Sequence, residues 1–87
     1  MIEYGTDVKN RLRRAEGQVR GVLKMMEEGK ECREVVAQLS AIRTAIDRSI
    51  GLVIGNHLQA CIREELEKGN DPDQVIKEAV ELLVKSR

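Results

Sequence analysis

The sequence predicts an all-α chain of three helices, and three observations lead there. Apolar residues recur at intervals of three and four through most of the 87 positions, no segment alternates as a half-buried strand would, and there is a single proline. The apolar content is almost entirely Ala, Val, Ile, Leu and Met, with Tyr4 the one aromatic, which suits helix faces.

The first helix is predicted over 6–28. Val8, Leu12, Ala15, Val19, Val22 and Met26 step by fours and threes along one stripe. Thr6 or Asp7 can cap its start, and Gly29 stands where a terminating glycine belongs. The second is predicted over 31–68, with Val35, Leu39, Ile42, Ile46, Ile50 (or Ser49), Val53, His57 and Cys61 in helical register. Gly51 and Gly55 weaken it without ending it. At ~1.5 Å per residue it is roughly 50 Å or more long, too long for so short a chain to cover, so it needs a partner. Gly69, Asn70, Asp71 and Pro72 stop it and start the third helix, predicted over 72–86, with Asp71 as cap and Pro72 at the first helical position. Val75, Ile76, Ala79, Val80, Leu83 and Val84 give that helix its apolar face.

All of this makes one small domain over 1–87 with a thin core, for which oligomerisation supplies the missing buried area. No apolar run is long enough to span a bilayer and no leader segment is recognisable, so the expected location is the cytoplasm, with no membrane partner. In a reducing compartment two cysteines suit ligand or redox-sensor roles better than a structural disulfide.

The stretch VIGNHLQAC (53–61) places the only histidine, His57, one helical turn before Cys61. The other cysteine, Cys32, lies 25 residues before His57 on the same predicted helix. At ~100° per residue those 25 steps return the side chain to within about 20° of its starting direction, so all three share a face. Yet they span about 37 Å along the axis, too far for one coordination sphere. Two copies of the helix packed antiparallel, with the twofold axis near Ala45 and Ile46, would bring Cys32 of one chain to His57 and Cys61 of the other. Leu39, Ala41, Ile42, Ala45 and Ile46 around that midpoint are small and apolar enough for a close crossing. Two thiolates and an imidazole form a soft donor set that favours Cu(I), with Zn(II) open if a fourth ligand joins. The bland alternative is a pair of small buried cysteines beside an ordinary histidine.

Formal net charge is zero, but its distribution is uneven. From Lys9 to Lys24 six basic residues, Lys9, Arg11, Arg13, Arg14, Arg20 and Lys24, stand against the single acid Glu16, while Glu64, Glu65, Glu67, Asp71 and Asp73 lie after residue 63. Lys9, Arg13, Arg20 and Lys24 fall within about 60° of one another, away from the apolar stripe. Repeated in an oligomer, such a stripe can neutralise many phosphates, although no helix-turn-helix, zinc-finger or ribbon signature is present. Gly17 and Gly21, near that stripe, either permit a close approach or are simply tolerated.

NRLRRAEGQVRGV in the first helix, CREVVAQLSAIRTAIDR and NHLQAC in the second, and the terminal EAVELLVKS resemble the copper-sensing repressor (CsoR/RcnR) family, in order and over nearly the whole chain. The resemblance implies an antiparallel helical dimer, usually doubled into a homotetramer, that binds operator DNA, represses transcription and lets go on sensing its inducer. It implies Cu(I) as that inducer, Cys32, His57 and Cys61 as its ligands, and Arg11 and Arg48 as arginines used on DNA. Copper-sensing members carry a tyrosine just before the first cysteine, where this chain has Glu31. Glu31, with MMEEGKEC, resembles instead the persulfide-sensing branch (CstR), which needs only Cys32 and Cys61, bridged by sulfur between subunits. His57 favours copper. Glu78 in the third helix matches the glutamate that copper-sensing members use as an outer partner, if one residue is inserted in the turn. Nickel or cobalt sensing would call for an N-terminal histidine, and none is present.

An enzyme is not expected: there is no nucleophile–base–orienter set, no phosphate loop and no small-molecule substrate site. A copper-binding protein that ignores DNA is the remaining rival, against which the basic first helix argues.

Overall fold

The computed structural model describes residues 4–86, and among these there are three helices and no strand. They are α1 (Thr6–Glu27), α2 (Cys32–Glu67) and α3 (Asp73–Lys85). The described residues divide into two compact units, one from Thr6 to Ser49 and the other of residues 50–86 with Tyr4 and Gly5. α2 runs without a break through the division, across Gly51 and Gly55.

In the first unit α1 and the first half of α2 form an antiparallel hairpin. Its turn is set by Gly29, whose φ of 72° only a residue without Cβ adopts cheaply. The N–H of Lys30 donates to the carbonyl of Met25 (3.0 Å) and that of Gly29 to Met26 (3.2 Å), the paired bonds of a Schellman cap. α2 ends the same way, with Gly69 at φ 78° and bonds from Asn70 to Glu65 (2.8 Å) and from Gly69 to Leu66 (3.1 Å).

The hairpin core is narrower than the apolar stripe suggests. α1 buries Val8, Ala15 and Val22, seven residues apart; α2 buries Ile42 and Ser49, at the same interval, with Val35 half-buried. A seven-residue repeat is the mark of two helices meeting along one seam. Leu12, Val19 and Met26, expected in the same buried stripe, stay 43%, 45% and 53% exposed, because one neighbouring helix covers only one edge of it. Of the alternatives Ile50 and Ser49, the seam takes Ser49, whose Oγ donates to the carbonyl of Ala45 at 2.9 Å and so is buried with its hydrogen bond made.

In the second unit Ile54 of α2 and Ala79 of α3 are buried, whereas Ile76, Val80, Leu83 and Val84 of the expected apolar face of α3 remain exposed. The start of α3 differs from expectation by one residue. Pro72 occupies the cap position, with no side-chain capping bond, and helix begins at Asp73. Asp71 still acts at this turn, its Oδ1 accepting from the N–H of Asp73 at 3.1 Å. Near the end of α2, Lys68 donates to Glu64 at 3.0 Å; this hydrogen bond and its charge attraction hold the Glu64 carboxyl below, and the Lys68 ammonium above, their ordinary ranges. The pair is exposed and adds little to stability.

The glycines divide into two kinds, and substitution tells them apart. Gly29→Ala places a Cβ in the left-handed region and should cost about 1–2 kcal/mol. Gly21→Ala, in mid-helix with no atom within 4 Å of the new Cβ, should gain up to about 1 kcal/mol. Urea unfolding of both variants checks this; a loss of stability for Gly21→Ala would mean that another molecule packs against that position.

Candidate functional site

His57 and Cys61 sit one turn apart in the second half of α2, with Cys61 Sγ 3.5 Å from His57 Nε2. His57 is exposed and Cys61 half-buried, so both can reach a ligand from outside the chain. The spacing suits a shared ion. With bonds of ~2.3 Å to sulfur and ~2.0–2.1 Å to nitrogen, two donors on one tetrahedral metal lie about 3.5 Å apart. The loss of one proton from the thiol–imidazole pair leaves two lone pairs at that separation.

Cys32 is the first residue of α2 and is exposed with a free thiol. Glu31 lies just outside the helix, where its carbonyl accepts from the N–H groups of Glu34 (3.0 Å) and Val35 (3.1 Å). Among the described residues no three His, Cys, Asp or Glu side chains gather where one ion could be held. Glu78, on α3 in the same unit as His57 and Cys61, does not join them; its Oε1 accepts from Gln74 at 3.3 Å and faces solvent.

The basic residues separate into two faces of α1. Arg11 and Arg14 turn toward α2, where they meet Arg48 around a cavity of about 240 Å³ completed by Gln18, Ala41, Thr44 and Ala45. Lys9, Arg13, Arg20 and Lys24 occupy another side of the helix and are all exposed. Two of them have local partners: Arg13 donates to Asn10 Oδ1 at 3.2 Å, and Arg20 lies 3.8 Å from a Glu16 oxygen. So the structure joins Arg11, Arg14 and Arg48, and leaves Lys9, Arg13 and Arg20 outside that group. Gln18 and Thr44 were not singled out from the sequence. The spacing of Arg11, Arg14 and Gln18 by three and four was the signal that could have found the first of them.

Comparison with known proteins bears on both groups. Residues 4–85 match the family described as metal-sensitive transcriptional repressor. The chain belongs to that family. Among its relatives, the uncharacterized protein YrkD of Bacillus subtilis (strain 168) is 62% identical over 63 residues, 72% of this chain and 100% of YrkD. The copper-sensing transcriptional repressor CsoR of the same organism is 32% identical over 78 residues, 90% of this chain and 76% of that protein. The solved structure of the nickel-responsive transcriptional regulator InrS superposes with a TM-score of 0.76 at 36% identity, covering 98% of this chain and 94% of its own.

Among the described residues, no helix is long and apolar enough to cross a membrane.

Proposed function

We propose that the chain is a copper-responsive repressor, binding operator DNA and letting go when Cu(I) enters a Cys–His–Cys site shared by two chains. The observation that carries this is the 3.5 Å pair of His57 and Cys61, a two-donor bite on a helix whose third soft donor, Cys32, lies 25 residues away. The third ligand is then Cys32 of a second chain. Likeness to a copper-sensing repressor supports the choice of metal. So does the donor set, since two sulfurs and one imidazole suit Cu(I) better than the harder Ni(II) to which InrS responds.

The same reading accounts for the uncovered apolar surface. Leu39 and Ile46 of α2 are 45% and 38% exposed and share the face of Cys32. An antiparallel pairing of α2 about Ala45 and Ile46 buries them and sets up two identical sites. A dimer of such dimers, a homotetramer, gives α3 a cover for Ile76, Val80 and Leu83. When bound, Cu(I) supplies a soft centre that draws two thiolates and an imidazole together. The part played by this chain is to carry Arg48 and all three ligands on one helix, α2. Arg11, Arg14 and Arg48, with Lys9, Arg13 and Arg20, are the DNA-binding residues of this reading; Glu31 and Glu78 are outer partners of the metal site.

A second reading, persulfide sensing through Cys32 and Cys61, is favoured by one observation: Glu31 precedes a Cys32 that is exposed and free. The two readings part at His57.

Three outcomes are expected. In mobility shifts with DNA from upstream of its own gene, Cu(I) should release the parent protein while Ni(II) and polysulfide do not. His57→Ala should still bind DNA and ignore Cu(I); release of this variant by polysulfide, with Cys32 and Cys61 joined across chains in mass spectra, would establish the sulfur reading instead. Second, Cys32→Ala and Cys61→Ala should each fail to bind Cu(I) in three-coordinate form as homodimers. Their mixture should recover one site per heterodimer by X-ray absorption, and no recovery would refute the shared site. Third, Arg11→Ala and Arg48→Ala should each weaken DNA binding and flatten its salt dependence by ~0.9 per lost phosphate contact. Unchanged slopes in both would move the DNA surface elsewhere.

A further inference from the structure

We propose that Arg43 of one chain and Asp47 of a second meet in two symmetric ion pairs that fix the register of the antiparallel α2 pairing. This contact rests on the pairing proposed above. Arg43 and Asp47 stand one turn apart on α2, and both are exposed. Among the described residues neither forms an ion pair, although Arg20 and Lys68 each reach a carboxylate one turn away along the chain. An arginine placed one turn before an acid is the weaker order for such a pair within one helix.

Arg43 also lies on the side of α2 that the pairing covers. At ~100° per residue it points within about 60° of Cys32, Leu39 and Ile46, and Asp47 lies about 40° further round, at the edge of that side. The side that α1 covers, marked by Val35, Ile42 and Ser49, is about 80–120° away from Arg43. Arg43 lines a shallow groove together with Val36, Leu39 and Ser40, so apolar side chains border its charge. A second α2 laid on this side strips water from the guanidinium. It then needs a carboxylate there, because a buried charge without its opposite is strongly destabilising.

The twofold axis supplies that carboxylate. With the axis between Ala45 and Ile46, the partner's Asp47 falls level with Thr44, ~1.5 Å along the helix from Arg43. Asp47 of the same chain is ~6 Å along. The same operation sets the partner's Arg43 beside Asp47, so the contact is made twice. Sliding one helix past the other by a turn moves each guanidinium ~5.4 Å from its carboxylate and leaves four charges unpaired along the seam. Polar residues in an apolar helix seam select one register in this way. They select the antiparallel sense as well, since a parallel pair in register sets Arg43 against Arg43 and Asp47 against Asp47.

The test is charge reversal in the full chain, read by sedimentation equilibrium and native mass spectrometry. Arg43→Glu alone sets two carboxylates against each other at each contact, and Asp47→Arg alone sets two guanidinium groups. Each variant should dimerise about tenfold or more weakly than the parent. Mixed in equal amounts, the two should form heterodimers well beyond the random proportion, because both contacts then join opposite charges. A chain carrying both reversals restores the two contacts and should dimerise like the parent. An ion pair confined to one chain would be broken by either reversal and not mended by mixing. The milder Arg43→Gln and Asp47→Asn leave one charge unpaired at each contact and should weaken the dimer in the same direction. Random proportions in the mixture, or unchanged dimerisation of both neutral variants, would overturn the contact while a dimeric parent kept the α2 pairing standing. A parent chain that stayed monomeric would refute the pairing itself, and this contact with it, and leave that side of α2 to a different partner.

Discussion

The hydrogen-bond ladder of α2, from Cys32 to Glu67, is the constraint that orders most of this chain. It survives two internal glycines, each about 1 kcal/mol less favourable in a helix than alanine, with no atom within 4 Å of where either Cβ would stand. Within each unit the direction and spacing of the α2 side chains follow helical geometry. Cys32, Arg48, His57 and Cys61 all belong to this one element. The 3.5 Å meeting of His57 and Cys61 needs no tertiary support, since consecutive turns supply it.

A second constraint comes from how little one chain can cover. A helix packed on one neighbour buries a single seam, and the seven-residue spacing of Val8, Ala15 and Val22 is that seam on α1. The adjacent strip of Leu12, Val19, Leu23 and Met26 stays about half exposed among the described residues, as do Leu39 and Ile46 on α2. Surface of this kind on a metal-sensitive repressor accords with assembly from several copies.

Charge is arranged with similar economy. A net charge of zero conceals basic residues gathered on α1 and acidic ones gathered after residue 63. Within α1 they divide again, into an outer strip that faces solvent and a pair, Arg11 and Arg14, that turns inward to meet Arg48. The outer strip meets solvent and local partners such as Asn10 and Glu16. The inward group shares one cavity with Gln18, Ala41, Thr44 and Ala45.

Much of this is legible in the amino-acid sequence by itself. Three helices, the glycine stops at 29 and 69, the continuity of α2 and the pairing of His57 with Cys61 all follow from rules that act within a few residues: periodicity, the left-handed tolerance of glycine, and the i, i+4 neighbour relation. Local rules do not say which part of an apolar stripe meets a neighbour. Periodicity treats Leu12 and Val8 alike, and only the packing of α1 on α2 buries one and leaves the other exposed, because a single partner helix covers one edge of a stripe. The same packing chooses Ser49 over Ile50, where Ala45 offers its hydroxyl an acceptor. It also gathers Arg14 and Gln18 with Arg48, residues about 30 positions apart in sequence whose approach depends on the hairpin register. Periodicity along one helix assigns each residue to a face; which face meets which is decided only when two helices pack.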